Sequence, residues 1–169
     1  MNDYIFDKAL TAIKKCQTRD PFKIAKELGI KVYYQNDFVD LKGMYAIIKR
    51  RRCIFLNVNL DEPTQKIVCA HEIGHDNLHR VFAKKLPLRE FTLYEMKTAP
   101  EYEANQFAAH ILLNEREIIE LFNQGCDFTQ AARELETNEN LLLIKLRHMI
   151  ARGMMFNLPY IPRSDFLGR

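Results

Sequence analysis

The sequence predicts an α+β fold: a small, mostly antiparallel three-stranded sheet beside two long helices, with further helical elements at the N-terminal and C-terminal ends. Three observations predict it. The stretches "IKVYYQ", "MYAIIKR" and "CIFLNVNL" are rich in β-branched and aromatic residues and follow one another along the chain. Helical apolar spacing flanks them on both sides. The chain has 169 residues, 47% of them hydrophobic, which is enough for one domain with its own core.

The elements follow in order. Ile5, Ala9, Leu10 and Ile13 recur at helical spacing, so residues 3–15 read as a first helix. In "RDPFKIAKELGI", Asp20 suits a cap, Pro21 a first helical position and Gly29 a stop, which bounds a short second helix. The three strands come next. The last two flank the charged stretch Lys49–Arg52 and read as an antiparallel hairpin. In "LDEPTQ", Asp61 and Pro63 restart a helix that runs to about His79. Residues 80–98 are irregular and interrupted by Pro87, with the length of a lid or cleft wall. A further helix spans "PEYEANQFAAHILL". "EREIIELFNQG" and "FTQAARELETNENLLLIKLRHMIARG" are helical, the latter with a helix-turn-helix rhythm, and the proline-containing tail reads as extended. The expected organisation is a core over 1–125 with a helical extension over 126–169 in the same domain.

Composition excludes several classes. A net charge of +3 is too small to argue for a nucleic-acid or membrane surface. No apolar run approaches the ~20 residues of a membrane span, and the N-terminus lacks the apolar stretch of a signal peptide. Cys16, Cys53, Cys69 and Cys126 form no CxxC pair and read as reduced thiols. The expected location is cytoplasmic, with no membrane partner.

The chemistry lies in "IVCAHEIGHDNLH". Residues four apart share a helix face, so His71 and His75 can direct both imidazoles at one metal ion. Glu72 sits about 100° round from His71, placed to take a proton from water without being a ligand. This is an HExxH pattern with a mechanism: two nitrogen ligands for Zn2+ and a general base. Gly74 costs about 1 kcal/mol in a helix interior, and a close approach by a neighbouring element would explain it. A catalytic zinc needs a third protein ligand, and "EYEANQFAAH" offers Glu101 and Glu103 on different sides of one helix. Glu101 is favoured because it shares a stripe with the small residues Ala104 and Ala108; Glu103 is the alternative. Asn105, four residues on from Glu101, is placed to orient a histidine. His79 continues the face of His75 and reads equally as part of the site or as a helix end. Tyr94 and Tyr102 are weaker candidates for donating to an oxyanion, and each reads better as a packed aromatic. His110 and His148 read as surface or structural.

These residues resemble the ImmA/IrrE family of zinc-dependent endopeptidases over roughly 20–115. "DPFKIAKELGIKV" resembles its opening segment, "LKGMYAIIKRRRCIFLNVNLDE" its hairpin, "AHEIGHDNLH" its zinc motif and "EYEANQFAAHILLNE" its second metal helix. Asn114 stands where that family often has proline. The resemblance implies a compact fold with the sheet beside two zinc-binding helices and a gluzincin-type centre. In it His71, His75 and Glu101 (or Glu103) would hold the metal and Glu72 would be the base. Family members are commonly encoded in phages and mobile elements. They act as anti-repressors that cleave a helix-turn-helix repressor, so the implied partner is a protein substrate of that kind. The substrate is expected to lie extended along a sheet edge, with 52–58 as the candidate edge strand. The rival reading is a regulator that binds DNA through 128–150. Glu139–Asn140–Leu141 at the start of its second helix carries few basic side chains, so direct nucleic-acid binding is disfavoured against an accessory helical pair.

Overall fold

The structure, a computed structural model, describes residues 3–83, 87–90 and 98–156. The chain divides into two compact units, Met1–Leu112 and Leu113–Arg169. The helix starting at Glu115 lies in the second unit.

In the first unit, α1 (Tyr4–Cys16) and α2 (Pro21–Glu27) precede β1 (Lys31–Gln35), β2 (Gly43–Ile48) and β3 (Arg51–Asn57). Asp20 caps α2 as expected, accepting from the amides of Phe22 and Lys23. Gly29 takes φ +71°, the left-handed conformation that ends the helix. The hairpin turn is tighter than the charged stretch suggested. It consists of Lys49 and Arg50 alone, at φ 48° and 65°, while Arg51 and Arg52 already belong to β3.

Among the described residues the sheet has four strands, in the order β1-β3-β2-β4. The fourth, β4 (Leu88–Glu90), lies within the stretch read as irregular and pairs antiparallel with the start of β2. Residues 84–86 and 91–97 of the proposed lid, with Tyr94, lie outside the described residues, as do 157–169 of the tail. β1 runs parallel to β3, so the sheet is mixed, with two antiparallel pairs and one parallel pair. The choice of 52–58 as edge strand is overturned: β3 has a partner on each side, and among the described residues the edges are β1 and β4. The buried Asn57 secures the crossover from β1 to β2 by donating to the carbonyls of Phe38 and Leu41, both at 3.1 Å.

Tyr45, Ile54 and Leu56 are fully buried in the sheet, and α3 (Glu62–Leu78) packs on β2 and β3. Asp61 caps α3 through the amide of Thr64. After α3 come the single turn α4 (Arg80–Ala83) and then α5 (Ala99–Leu112), which packs on α3 and α1. Arg19 donates to the carbonyls of His110 and Ile111, tying the end of α1 to the last turn of α5. No helix among the described residues is long and apolar enough to cross a membrane.

The second unit contains α6 (Glu115–Asn123), α7 (Phe128–Glu134) and α8 (Glu139–Ala151). Asp127 and Gln130 form a reciprocal capping box at the start of α7. Residues 141–146 of α8 are all buried, including Lys145, whose ammonium meets Glu115 at 3.0 Å. The α7–α8 pair thus has the expected helix-turn-helix rhythm, but α8 puts most of its surface into packing.

Candidate metal centre

Helix α3 presents His71 and His75 on one face, and its C-cap residue His79 follows one turn on. All three imidazoles are buried, against the usual exposure of histidine on an amphipathic helix. Burial follows from how closely α5 approaches. A Cβ on Gly74 would stand 3.1 Å from both Cα and O of Ala104, and 3.3 Å from Cβ of Phe107. The neighbouring atoms are mostly backbone, so the close approach expected at Gly74 is made by α5.

That approach delivers the acidic residue. Glu101 Oε2 lies 3.1 Å from His71 Nε2, Glu101 Oε1 lies 3.5 Å from His75 Nε2, and the two Nε2 atoms are 3.0 Å apart. Ligands at about 2.0–2.1 Å round a tetrahedral zinc stand about 3.3 Å from one another, so these separations suit one ion. Glu103 is drawn elsewhere: its Oε2 is 2.9 Å from His79 Nε2.

The proton inventory points to a cation. Asn105 Oδ1 lies 2.9 Å from His71 Nδ1. With Oδ1 as the acceptor, His71 Nδ1 carries the hydrogen and Nε2 is left with its lone pair. Burial pushes the pKa of His75 down to about 4, against the opposing pull of Glu101, so this ring is neutral at pH 7. For Glu101, burial alone would raise the carboxyl, but the neighbouring His71 and His75 outweigh it and hold it below the usual carboxylate range. Two buried imidazoles and a carboxylate converge, and with both rings neutral they form a set of acceptors. That is the donor chemistry of a divalent metal site, so the residues fit zinc.

Glu72 is fully buried on the same helix, beside the start of β2. A Cβ on Gly43 would fall 2.9 Å from Glu72 Oε1 and 2.4 Å from Val68 Cγ1. Gly43 is thus what lets α3 lie on the sheet with the Glu72 carboxylate against it. A glycine opening a strand is a sign of close backbone approach, and the sequence reading passed over it.

A second cluster that reading missed anchors α3. Asp76 is buried and accepts from Tyr45 (2.5 Å), Arg52 (2.9 Å) and Arg80 (2.8 Å). Arg52, grouped with the turn on sequence alone, also donates to the carbonyl of Leu28. His110 is buried edge-on against Phe6 and His148 lies in the second unit, so neither joins the centre. Tyr102 lines a surface groove with Tyr4 and Ile5 of α1.

The model of a peptidase family described as the IrrE N-terminal-like domain matches residues 18–147. A protein of Bacillus phage phi105, named "Uncharacterized immunity region protein 2", is 37% identical over 101 residues, covering 60% of this chain and 63% of the phage protein. The chain therefore spans less than two thirds of that relative's length.

Proposed function

The chain belongs to the ImmA/IrrE family, whose members are metallopeptidases, and from that premise we propose that it is a zinc-dependent endopeptidase that cuts one specific protein, a helix-turn-helix repressor. The observation that carries the reading is the convergence of His71 Nε2, His75 Nε2 and the Glu101 carboxylate, with Glu72 one residue from the first ligand. A zinc ion held by His71, His75 and Glu101 would supply Lewis acidity toward a peptide carbonyl and water.

The remaining work falls to the chain's own residues. Glu72 takes the proton from the water and passes it to the leaving amine. Its burial beside Gly43 keeps the carboxylate away from bulk water. Asn105 holds the His71 ring with its Nε2 lone pair turned to the metal. The substrate lies extended along the outer edge of β4, which reaches the sheet at Gly43, next to Glu72. The repressor role is supported by the relative's origin in a phage immunity region. The disposition of α8 supports an accessory function for α7–α8, because a groove-reading helix needs an exposed basic face and residues 141–146 are buried.

The test pairs metal analysis with cleavage. Purified protein is expected to hold one zinc per chain, lost in His75→Ala and kept in Glu72→Gln. Mixed with a candidate helix-turn-helix repressor, the wild type is expected to yield two fragments and Glu72→Gln none. A Glu72→Gln variant that still cuts would overturn the mechanism. Cleavage unaffected by His75→Ala would overturn the metal.

A further inference from the structure

The buried histidine stripe of α3 does not stop at the metal centre. His75 Nδ1 lies 3.0 Å from His79 Nδ1, and His79 Nε2 lies 2.9 Å from Glu103 Oε2. The two rings stand 5.2 Å apart, tilted at 58°. His79 is buried at the C-terminal end of α3, with 3% of its side chain exposed, whereas Glu103 is 44% exposed.

Only one arrangement of protons lets this chain of contacts coexist with a His75 ligand. The Glu103 carboxylate accepts, so His79 Nε2 carries a hydrogen. A neutral His79 then has its lone pair on Nδ1 and can only accept there. His75 Nδ1 must therefore donate to it, which leaves the His75 Nε2 lone pair facing the centre. The reverse arrangement, with His79 donating from Nδ1, would place the hydrogen of His75 on Nε2 and spoil it as a ligand.

We propose that His79 and Glu103 are a positioning pair for His75, fixing its tautomer and ring orientation as Asn105 does for His71. The inference rests on the zinc reading above. It makes α5 the source of one ligand, Glu101, and of both outer partners, Glu103 and Asn105. Glu101 and Asn105 share a face of α5 while Glu103 lies off it; His71 and His79, two turns apart, give Asn105 and Glu103 separate targets. The sides are not equivalent, since the His71 partner is a neutral amide while the His75 relay ends on a full negative charge at the surface.

The experiment measures zinc affinity by competition with a chromophoric chelator, and the visible spectrum of the cobalt-substituted protein. His79→Leu keeps apolar volume but offers no acceptor, and it is expected to weaken zinc binding by about 10–100-fold. His79→Asn can put its Oδ1 where the imidazole Nδ1 stands, and it is expected to recover most of that loss. Thermal melts of the metal-free variants check that both fold. His79→Leu binding zinc as tightly as wild type, with an unchanged cobalt spectrum, would sink the pairing. Equal losses in His79→Leu and His79→Asn would also count against it, indicating a purely structural role. If the wild type itself binds no zinc, the metal reading fails first and this inference falls with it, a result distinguishable before any variant is made.

Discussion

At the scale of single residues, two glycines decide whether the centre can form. Gly74 is the costlier choice for a helix, yet any side chain there would push against the backbone of Ala104 and carry Glu101 away from the two histidines. Gly43 has the sharper consequence for the reaction, because the atoms it spares belong to Val68 and Glu72. Val68 is fully buried and has nowhere to retreat. Gly43→Ala is therefore expected to cost about 1–3 kcal/mol by overpacking. It should reduce cleavage much more than zinc content, since Glu72 is the base and not a ligand in the proposed mechanism. Adding Val68→Ala should restore part of the stability. Urea unfolding, zinc stoichiometry and cleavage rate measured on the same three proteins would separate these effects; unchanged stability in Gly43→Ala would refute the close approach.

At the scale of elements, the hydroxyl of Tyr45 and the guanidinium of Arg52 join the sheet to α3 through Asp76, one residue from His75. A helix held only by apolar contacts can slide or rotate on a sheet; directional bonds to one buried carboxylate pin its register. The phenol reports on that clamp. Burial, and then the hydrogen bond to Asp76, push the pKa of Tyr45 well above its ordinary 10. Because the folded state holds this proton more tightly than the unfolded chain, the contribution to stability is complete below pH 10 and is lost as pH climbs above it. Tyr45→Phe is expected to be less stable at neutral pH but to show a shallower further loss above pH 10. Denaturant midpoints taken at pH 8 and pH 11 would check this, and parallel losses in both proteins would show that Tyr45 ionises freely.

At the scale of the whole molecule, His71, His75, Glu101 and Glu72 all belong to the unit Met1–Leu112. A ligand that binds only the folded protein stabilises it by about 4 kcal/mol when present at a thousand times its dissociation constant. Chelation should therefore loosen this unit and spare the other. Hydrogen exchange is expected to rise in α3 and α5 when zinc is removed and to stay level in α7 and α8. An equal rise in α7 and α8 would mean that metal stabilises the chain as a whole.

Much of this was legible in the chain by itself, for a local reason. Helix periodicity is a short-range property, so the spacing of His71 and His75 and the neighbouring Glu72 already specify two imidazoles on one face and a carboxylate beside them. The caps at Asp20 and Asp61 and the β2–β3 hairpin are equally local, and the structure has each of them. What only the tertiary structure decided is non-local. β1 could pair with either neighbour, and a crossover secured by Asn57 puts it beside β3, which makes β3 central and, among the described residues, leaves β1 and β4 as edges. β4 has just three residues, too few for a period to emerge, and exists because β2 offers it a partner. Which glutamate of α5 meets the histidines depended on how that helix rolls against α3. The contact at Gly74 sets the roll, bringing Glu101 to His71 and His75 and Glu103 to His79. Spacing along a helix can nominate ligands, but the packing of one helix on another selects among them.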